Sequence, residues 1–555
     1  MNTLGGKMHY AIQHNATEWA YTSGKSYSDP YNDVQLDVVI TRPDGSEQLV
    51  PAFWAGEQTW CVRYSSTQIG IHHFQTRCSD ADNTDLHRQE GTVEVTPYEG
   101  NNPLLQHGPL QVDSNGRYLQ HQDGTPFFWL GDTWWMGLCK RLKWPEDFQE
   151  LTADRVAKGF SIIQIVAGLY PDMDPFDPRG ANEAGFPWDE DYNSINPAYF
   201  DMADLRIAHL VRSGLVPCIV GCWGFYIDFA GADVLKKHWR YLIARYGAYP
   251  VVWCAAGEAV MPFYRSPKFN EMRAARSLTG DRNTWLDHSK RPMWSDIMRS
   301  IRAADPYHHP LTIHPTSFGH KQVDDPSTMD IHWIQTGSDG YSNLAPTVNM
   351  LEQALAADPK MPTIDSEVSY DSREGVCSPI IQRFTFWSCL LTGAAGHTYG
   401  AEGIWQVNTK EQPYGLSPHG MSWGDQPWDE AYKLSGSRQL GIGKRLLERY
   451  HWWEFESHPE WVEPHQTPED RISCYAAGIP GKTRVIYIPF EALRLTPTQQ
   501  MMMKGIEPGL SYQAYYFNPA TGEEHGIGTV TGDDHGDCLL PKPLVLHDWV
   551  VVLER

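Results

Sequence analysis

Eight short apolar runs, each followed by a stretch with helical spacing, occupy the middle of the chain: 127–132, 161–167, 216–223, 251–258, 309–314, 329–335, 361–367 and 393–399. Hydrophobic strands that alternate with amphipathic helices imply a parallel sheet with helices packed outside it. Two of these helices can be bounded from their ends. Asn196 and Pro197 open one as N-cap and first helical residue, Phe200, Ala203, Ile207, Leu210 and Val211 form its stripe, and Gly214 closes it. Leu235, Trp239, Leu242 and Tyr246 mark another, closed by Gly247. Eight such units within 117–458 predict a (β/α)8 TIM barrel with long loops.

The flanks have a different period. Val34, Leu36, Val38 and Ile40 alternate with Gln35, Asp37 and Val39, Pro43-Asp44-Gly45 signals a turn, and further short strands are expected at 59–64, 70–76 and 92–96. Residues 1–100 are therefore expected to form an antiparallel β-sandwich, and the turn-rich, polar stretch 101–116 a linker. A second antiparallel sandwich is expected over 459–555, from the strand patterns at 485–489, 512–517 and 549–553 and the Asn518-Pro519-Ala520-Thr521-Gly522 turn. At 555 residues the chain is long enough for this multidomain arrangement.

Two of the barrel runs end in a carboxylate. One reads Val251-Val252-Trp253-Cys254-Ala255-Ala256-Gly257-Glu258, the other Met361-Pro362-Thr363-Ile364-Asp365-Ser366-Glu367. An ionised carboxylate is costly at the end of an apolar core strand. At the C-terminal mouth of a barrel, where active sites form, it has a use. Counting units places Glu258 after strand 4 and Glu367 after strand 7, and paired carboxyls are the equipment for breaking a glycosidic bond. Glu258 follows a sparse Ala-Ala-Gly shell that tolerates a protonated acid, so general acid/base is its expected role. Glu367, with Ser366 and Tyr370 near in sequence, is the expected nucleophile. Asp365 is a competitor for that role; a partner for an arginine or a backbone group is its other reading. For either glutamate the bland alternative is a solvated loop residue.

Other strand ends are expected to line a sugar pocket. Asp132, with Trp134 and Trp135 after it, closes strand 1, where its carboxylate could take two hydroxyls. Trp223 could be a stacking platform, and His314, Gln335 and His397 could hydrogen-bond substrate or nucleophile. Tyr399, Trp405 and Trp423 stand on or after strand 8 as one wall. Each of these can equally be a core or capping residue.

Charge and cysteine usage exclude more than they identify. With 45 basic against 68 acidic residues the net charge is −23, which argues against nucleic-acid and anionic-membrane partners. No apolar run approaches the ~20 residues of a membrane span. Residues 1–16 lack a basic segment followed by an apolar one, and the ten Cys are scattered through apolar patterns. A cytoplasmic location with reduced thiols is the expectation, a secreted one the alternative if a leader has been removed. His308-His309 and Cys218/Cys222 lack zinc spacing, no glycine-rich phosphate loop occurs, and Gly415-Leu-Ser-Pro-His-Gly does not match a nucleophile elbow. No metal or cofactor is expected.

Leu130-Gly-Asp-Thr-Trp-Trp135, Val252-Trp253 with Gly257-Glu258, Leu311-Thr-Ile-His-Pro315, Ile334-Gln-Thr-Gly337 and Gly393-Ala-Ala-Gly-His-Thr-Tyr-Gly400 resemble the apiosidase-like barrel of glycoside hydrolase family 140. Tyr31-Asn-Asp-Val and Thr41-Arg-Pro-Asp-Gly45 are similar to the β domain that precedes such barrels. Tyr516-Phe-Asn-Pro-Ala-Thr-Gly522 resembles their C-terminal sandwich, sometimes labelled collagen-binding. The resemblance implies a retaining barrel with its acid/base after strand 4 and its nucleophile after strand 7. Relatives commonly carry Gly-Gly-Asp where this chain has Ala256-Gly257-Glu258, so the carboxyl here reaches one methylene further.

The expectation is an exo-acting, metal-independent retaining glycosidase that removes a terminal pentose or deoxy sugar from a plant glycan or glycoside. The alternatives are a non-catalytic carbohydrate- or matrix-binding protein, in which the two glutamates would be far apart or held in salt bridges, and an inverting glycosidase on the same barrel.

Overall fold

The computed structural model describes residues 7–279, 287–337, 339–420, 424–490, 501–543 and 545–555. Its centre is an eight-stranded all-parallel sheet whose strands, labelled β1 to β8, are Trp129–Trp134, Ile162–Val166, Val216–Val220, Val252–Cys254, Leu311–Thr312, His332–Gln335, Thr363–Glu367 and Gly396–Tyr399. Ladders run from β5 back to β1, on to β8 and round to β6. Between β5 and β6 the wall is held by single bonds: Asp330 N–H to Leu311 C=O at 2.8 Å and Thr312 Oγ1 to Ile331 C=O at 2.8 Å. The sheet is thus a nearly closed (β/α)8 barrel.

The expected helices form for the expected reasons. Pro197–Arg212 begins at Asn196 and buries Phe200, Ala203, Ile207, Leu210 and Val211. Ile227–Tyr246 buries Leu235, Trp239, Leu242 and Tyr246 but is broken at Gly231, whose φ is 79°. Several barrel strands are shorter than their apolar runs. β4 ends at Cys254 and β5 at Thr312, so Glu258 and His314 lie just past regular strand.

Alternation along β1 and β8 sorts side chains into two layers. Trp129, Gln164, Trp333 and Thr398 meet inside the barrel, where Thr398 Oγ1 accepts from Trp129 Nε1 at 3.0 Å and Gln164 Nε2 at 2.9 Å. Asp132, Trp134, His397 and Tyr399 have the other parity and face the helices: Trp134 packs on Phe148 and His397 on Phe386.

Antiparallel sheets flank the barrel on both sides. Before it, a five-stranded sheet (Lys7–Ile12, Glu90–Thr96, Gly70–Cys78, Leu36–Thr41, Glu47–Pro51) faces a three-stranded one (Thr17–Thr22, Thr59–Tyr64, Phe53–Gly56) across a core containing Trp19, Val38, Ile40, Trp60 and Val62. The first pairing, Lys7–Ile12 with Glu90–Thr96, is parallel. The stretch expected as a linker carries a short helix, Pro103–His107, and a strand, Leu110–Val112, of a three-stranded sheet. After the barrel, a six-stranded sheet alternates between two cores. Ile486, Val551 and Leu553 face a small second sheet, while Val485, Tyr487, Val550 and Val552 join the barrel core. Arg383 and Asp548 close this junction with a buried bidentate pair at 2.6 and 2.7 Å.

Candidate active site

A cavity of about 380 Å³ opens at the C-terminal mouth of the barrel, lined at its floor by Trp135, Trp223, Glu258, Gln335, Glu367 and Tyr370. Its acid at strand 4 is placed by an extension of the ladder. Trp223 and Gly257 form a parallel bridge beyond the regular ends of β3 and β4, with Gly224 N–H donating to Gly257 C=O at 2.6 Å. A Cβ on Gly257 would lie 2.1 Å from the Trp223 ring, so only glycine lets the indole lie against the strand end. The next residue, Glu258, has φ 43°, the left-handed region in which a side-chain-bearing residue is strained. Such strain is maintained where the surroundings dictate a side chain's position.

Glu258 is held by neutral donors: Trp223 Nε1 lies 3.2 Å from Oε2 and Gln335 Nε2 3.4 Å from Oε1. Burial, then the negative charges of Glu367 and Asp172, push its carboxyl up to about 8, against the opposing effect of those two hydrogen bonds. It therefore carries a proton at neutral pH. Glu367 lines the same cavity. Gln335 makes the link visible, being in register with Glu367 across β6 and β7 while its amide touches Glu258.

Glu367 ends β7, where a register shift between Ile334 and Gln335 leaves Ser366 unpaired and sets Glu367 opposite Gln335. His314 Nε2 lies 3.1 Å from Glu367 Oε2, and its Nδ1 3.0 Å from Ser366 Oγ. Ser366 also donates to Ile334 C=O at 3.0 Å, which ties the serine to both β6 and the imidazole. Trp135, Trp223 and His314 pack together beneath the two glutamates, with ring centroids 5.2–5.7 Å apart. Tyr370 accepts from Trp135 Nε1 at 2.8 Å, and burial and the Glu367 charge push its phenol up. A Cβ on Gly400 would meet the Tyr370 ring at 2.1 Å, the second place where a glycine makes room for the site.

Of the expected site residues, the cavity brings together Glu258, Glu367, Trp135, Trp223 and Gln335, with Trp405 in its wall and His314 against Glu367 from below. Four others belong elsewhere. Asp132 is fully buried and paired with Arg155 Nε at 2.6 Å, also accepting from Trp134 Nε1 at 2.7 Å. Tyr399 donates to Asp371 at 3.0 Å, and neither ring nitrogen of buried His397 has a hydrogen-bond partner among the described residues. Asp132, Trp134, His397 and Tyr399 are thus structural residues of the helix-facing layer, one residue out of phase with the interior. Asp365 is buried in the same layer, where it accepts from Thr336 Oγ1 at 2.8 Å; it does not compete with Glu367. Trp423 lies outside the described residues.

Sequence reasoning missed the residues that loops bring in: Asp172, Tyr264, Arg373, Glu402 and His419 also line the cavity. Asp172, itself at φ 50°, pairs with His419 Nε2 at 2.8 Å. Among the described residues, no cluster of three or more His, Cys, Asp or Glu could hold a metal ion.

The catalytic-domain model "Apiosidase-like" matches residues 113–454. The chain belongs to the apiosidase-like family. It is a glycoside hydrolase on a TIM barrel, and its substrate is a carbohydrate. A domain of unknown function matches residues 11–79 of this apiosidase-like chain. Among solved structures, a glycoside hydrolase shares its fold with TM-score 0.65 and 21% identity over 82% of this chain and 98% of its own. A family 5 glycoside hydrolase from Bacteroides vulgatus gives TM-score 0.65 and 20% identity over 82% and 95%. A further Bacteroides vulgatus structure, 15% identical with TM-score 0.66, covers 99% of this chain and all of its own, so the flanking sheets recur with the barrel. No curated protein sequence matches. No described helix is long and apolar enough to cross a membrane.

Proposed function

We propose that this apiosidase-like protein is a retaining, exo-acting glycosidase that releases a terminal pentose or deoxy sugar, apiose being the first candidate, from a plant glycan or glycoside. Glu258 is the acid/base and Glu367 the nucleophile. The observation that carries this reading is the asymmetry of the pair. Glu258 is desolvated, bonded only to neutral donors and protonated at neutral pH, while Glu367 faces the His314 imidazole.

In the first step the Glu258 proton passes to the glycosidic oxygen as Glu367 attacks the anomeric carbon. The C–O bond breaks, the alcohol leaves and a glycosyl ester forms on Glu367. In the second step Glu258, now a carboxylate, takes a proton from water. The hydroxide oxygen attacks the anomeric carbon and frees Glu367. A cavity of about 380 Å³ is at the small end for ligand pockets, which favours one terminal sugar over an extended chain. Trp135 and Trp223 offer apolar faces for that sugar. A reducing, cytoplasmic compartment suits ten free cysteines, eight of them buried.

The test is a panel of aryl glycosides (apioside, arabinofuranoside, xyloside, rhamnoside, fucoside, glucoside), followed by NMR of the first-formed anomer on the sugar that reacts. Retained configuration supports the double displacement; inverted configuration would replace it with single attack by water.

A further inference from the structure

A third carboxyl stands in the cavity wall and has no part in the chemistry above. Glu402 follows β8 and is 2% exposed, among the residues lining the same cavity as Glu258 and Glu367. Its backbone is fixed by donation from its N–H to Asp371 C=O at 3.0 Å. One carboxyl oxygen, Oε1, accepts a short hydrogen bond from Gln406 Nε2. Gln406 cannot turn away, because its own Oε1 accepts from Gly403 N–H at 3.0 Å. The other oxygen, Oε2, is buried and has no well-formed hydrogen bond among the described residues, although the Trp405 indole is beside it. Burial pushes the carboxyl up to about 8 in spite of the Arg373 charge nearby, so it is an O–H at neutral pH.

A buried hydroxyl without an acceptor is costly. The terminal torsion of a glutamate is soft, so a small turn offers Oε2 to the cavity while Gln406 keeps Oε1. Resting on the glycosidase reading of this pocket, we propose that Glu402 binds one hydroxyl of the sugar in the cavity and makes the enzyme select glycosides that carry that hydroxyl. A neutral sugar is the class it fits. A protonated carboxyl donates to a hydroxyl oxygen and accepts from its O–H, so it needs no charge on the sugar.

The experiment uses the aryl glycoside that wild type hydrolyses and its monodeoxy analogues, each lacking one ring hydroxyl, with Glu402→Leu and Glu402→Gln beside wild type. In wild type one analogue loses about 10–100-fold in kcat/KM, the cost of an unpaired polar group. In Glu402→Leu the parent substrate falls by a similar factor, while that one analogue is hydrolysed as by wild type. That equality also shows that the variant is folded. Glu402→Gln, which keeps a donor, retains part of the preference. Deoxy penalties that are the same in all three proteins overturn this inference and leave the glycosidase reading intact. A wild type that hydrolyses no glycoside removes both.

Discussion

His314 stands 3.1 Å from Glu367 through Nε2 while its Nδ1 is committed to Ser366. The imidazole therefore fixes the direction in which the proposed nucleophile points, and it rests on Trp135 and Trp223 in doing so.

Replacing His314 by Ala leaves Glu367 without this partner. The expected result is a fall in kcat of about 10–100-fold, with KM changed by only a few-fold, since the imidazole aims the carboxylate for attack and stands beside it as its charge returns when the ester breaks. Steady-state kinetics on the reactive aryl glycoside separates this from a general packing defect, which would lower thermal stability and move KM as well.

Glu258, at about 8, sets the basic limb of the pH profile. An acid must be protonated to act, so kcat/KM falls as pH rises through about 8. The same shift affects stability. A carboxyl raised above its ordinary 4.5 holds its proton longer folded than unfolded, so stability is full below 4.5 and declines as pH rises toward about 8. Glu258→Gln removes its share of that decline, and Glu402, Asp371 and Asp365, also raised by burial, keep theirs. Melting curves of both proteins across that window check the sign.

Trp223 donates to Glu258 Oε2 at 3.2 Å and so favours the carboxylate. Trp223→Phe keeps the aromatic face and removes the donor. Its expected effect is a basic limb displaced to higher pH, with kcat on the plateau within a few-fold of wild type; an unmoved limb would assign that limb to another group.

Asp132 makes the opposite kind of prediction. Its partner Arg155 is fully buried, and Asp132→Asn removes the buried one of its two carboxylate partners and leaves only Asp154, at a cost of about 1–3 kcal/mol of stability. Urea unfolding reads the loss directly. Below the unfolding transition kcat/KM stays within a few-fold, because Asp132 does not reach the cavity.

The strand–helix alternation and the two carboxylates were legible because each is a local pattern: an apolar run, then a charge it cannot bury. Which strand-end residues face inward was not. Trp135 enters the site and Trp134 does not, and Thr398 faces the interior between His397 and Tyr399, which do not. A strand buried on both faces has no polar alternation to mark its inner side, so a phase error of one residue is invisible in sequence. Asp172, Tyr264 and His419 come from long loops with no periodic signal. Glu402 did leave a trace, an acid within Gly400-Ala-Glu-Gly-Ile-Trp405, the same contradiction that marked Glu258.

The most direct measurement is hydrolysis of the aryl glycoside panel by wild type, Glu258→Gln and Glu367→Gln at matched concentration, with circular dichroism to confirm folding. Turnover of one sugar by wild type, reduced about 10³-fold or more in both folded variants, is the result expected of a two-carboxylate site. A folded Glu258→Gln or Glu367→Gln that hydrolyses the same sugar at near wild-type rate would contradict it.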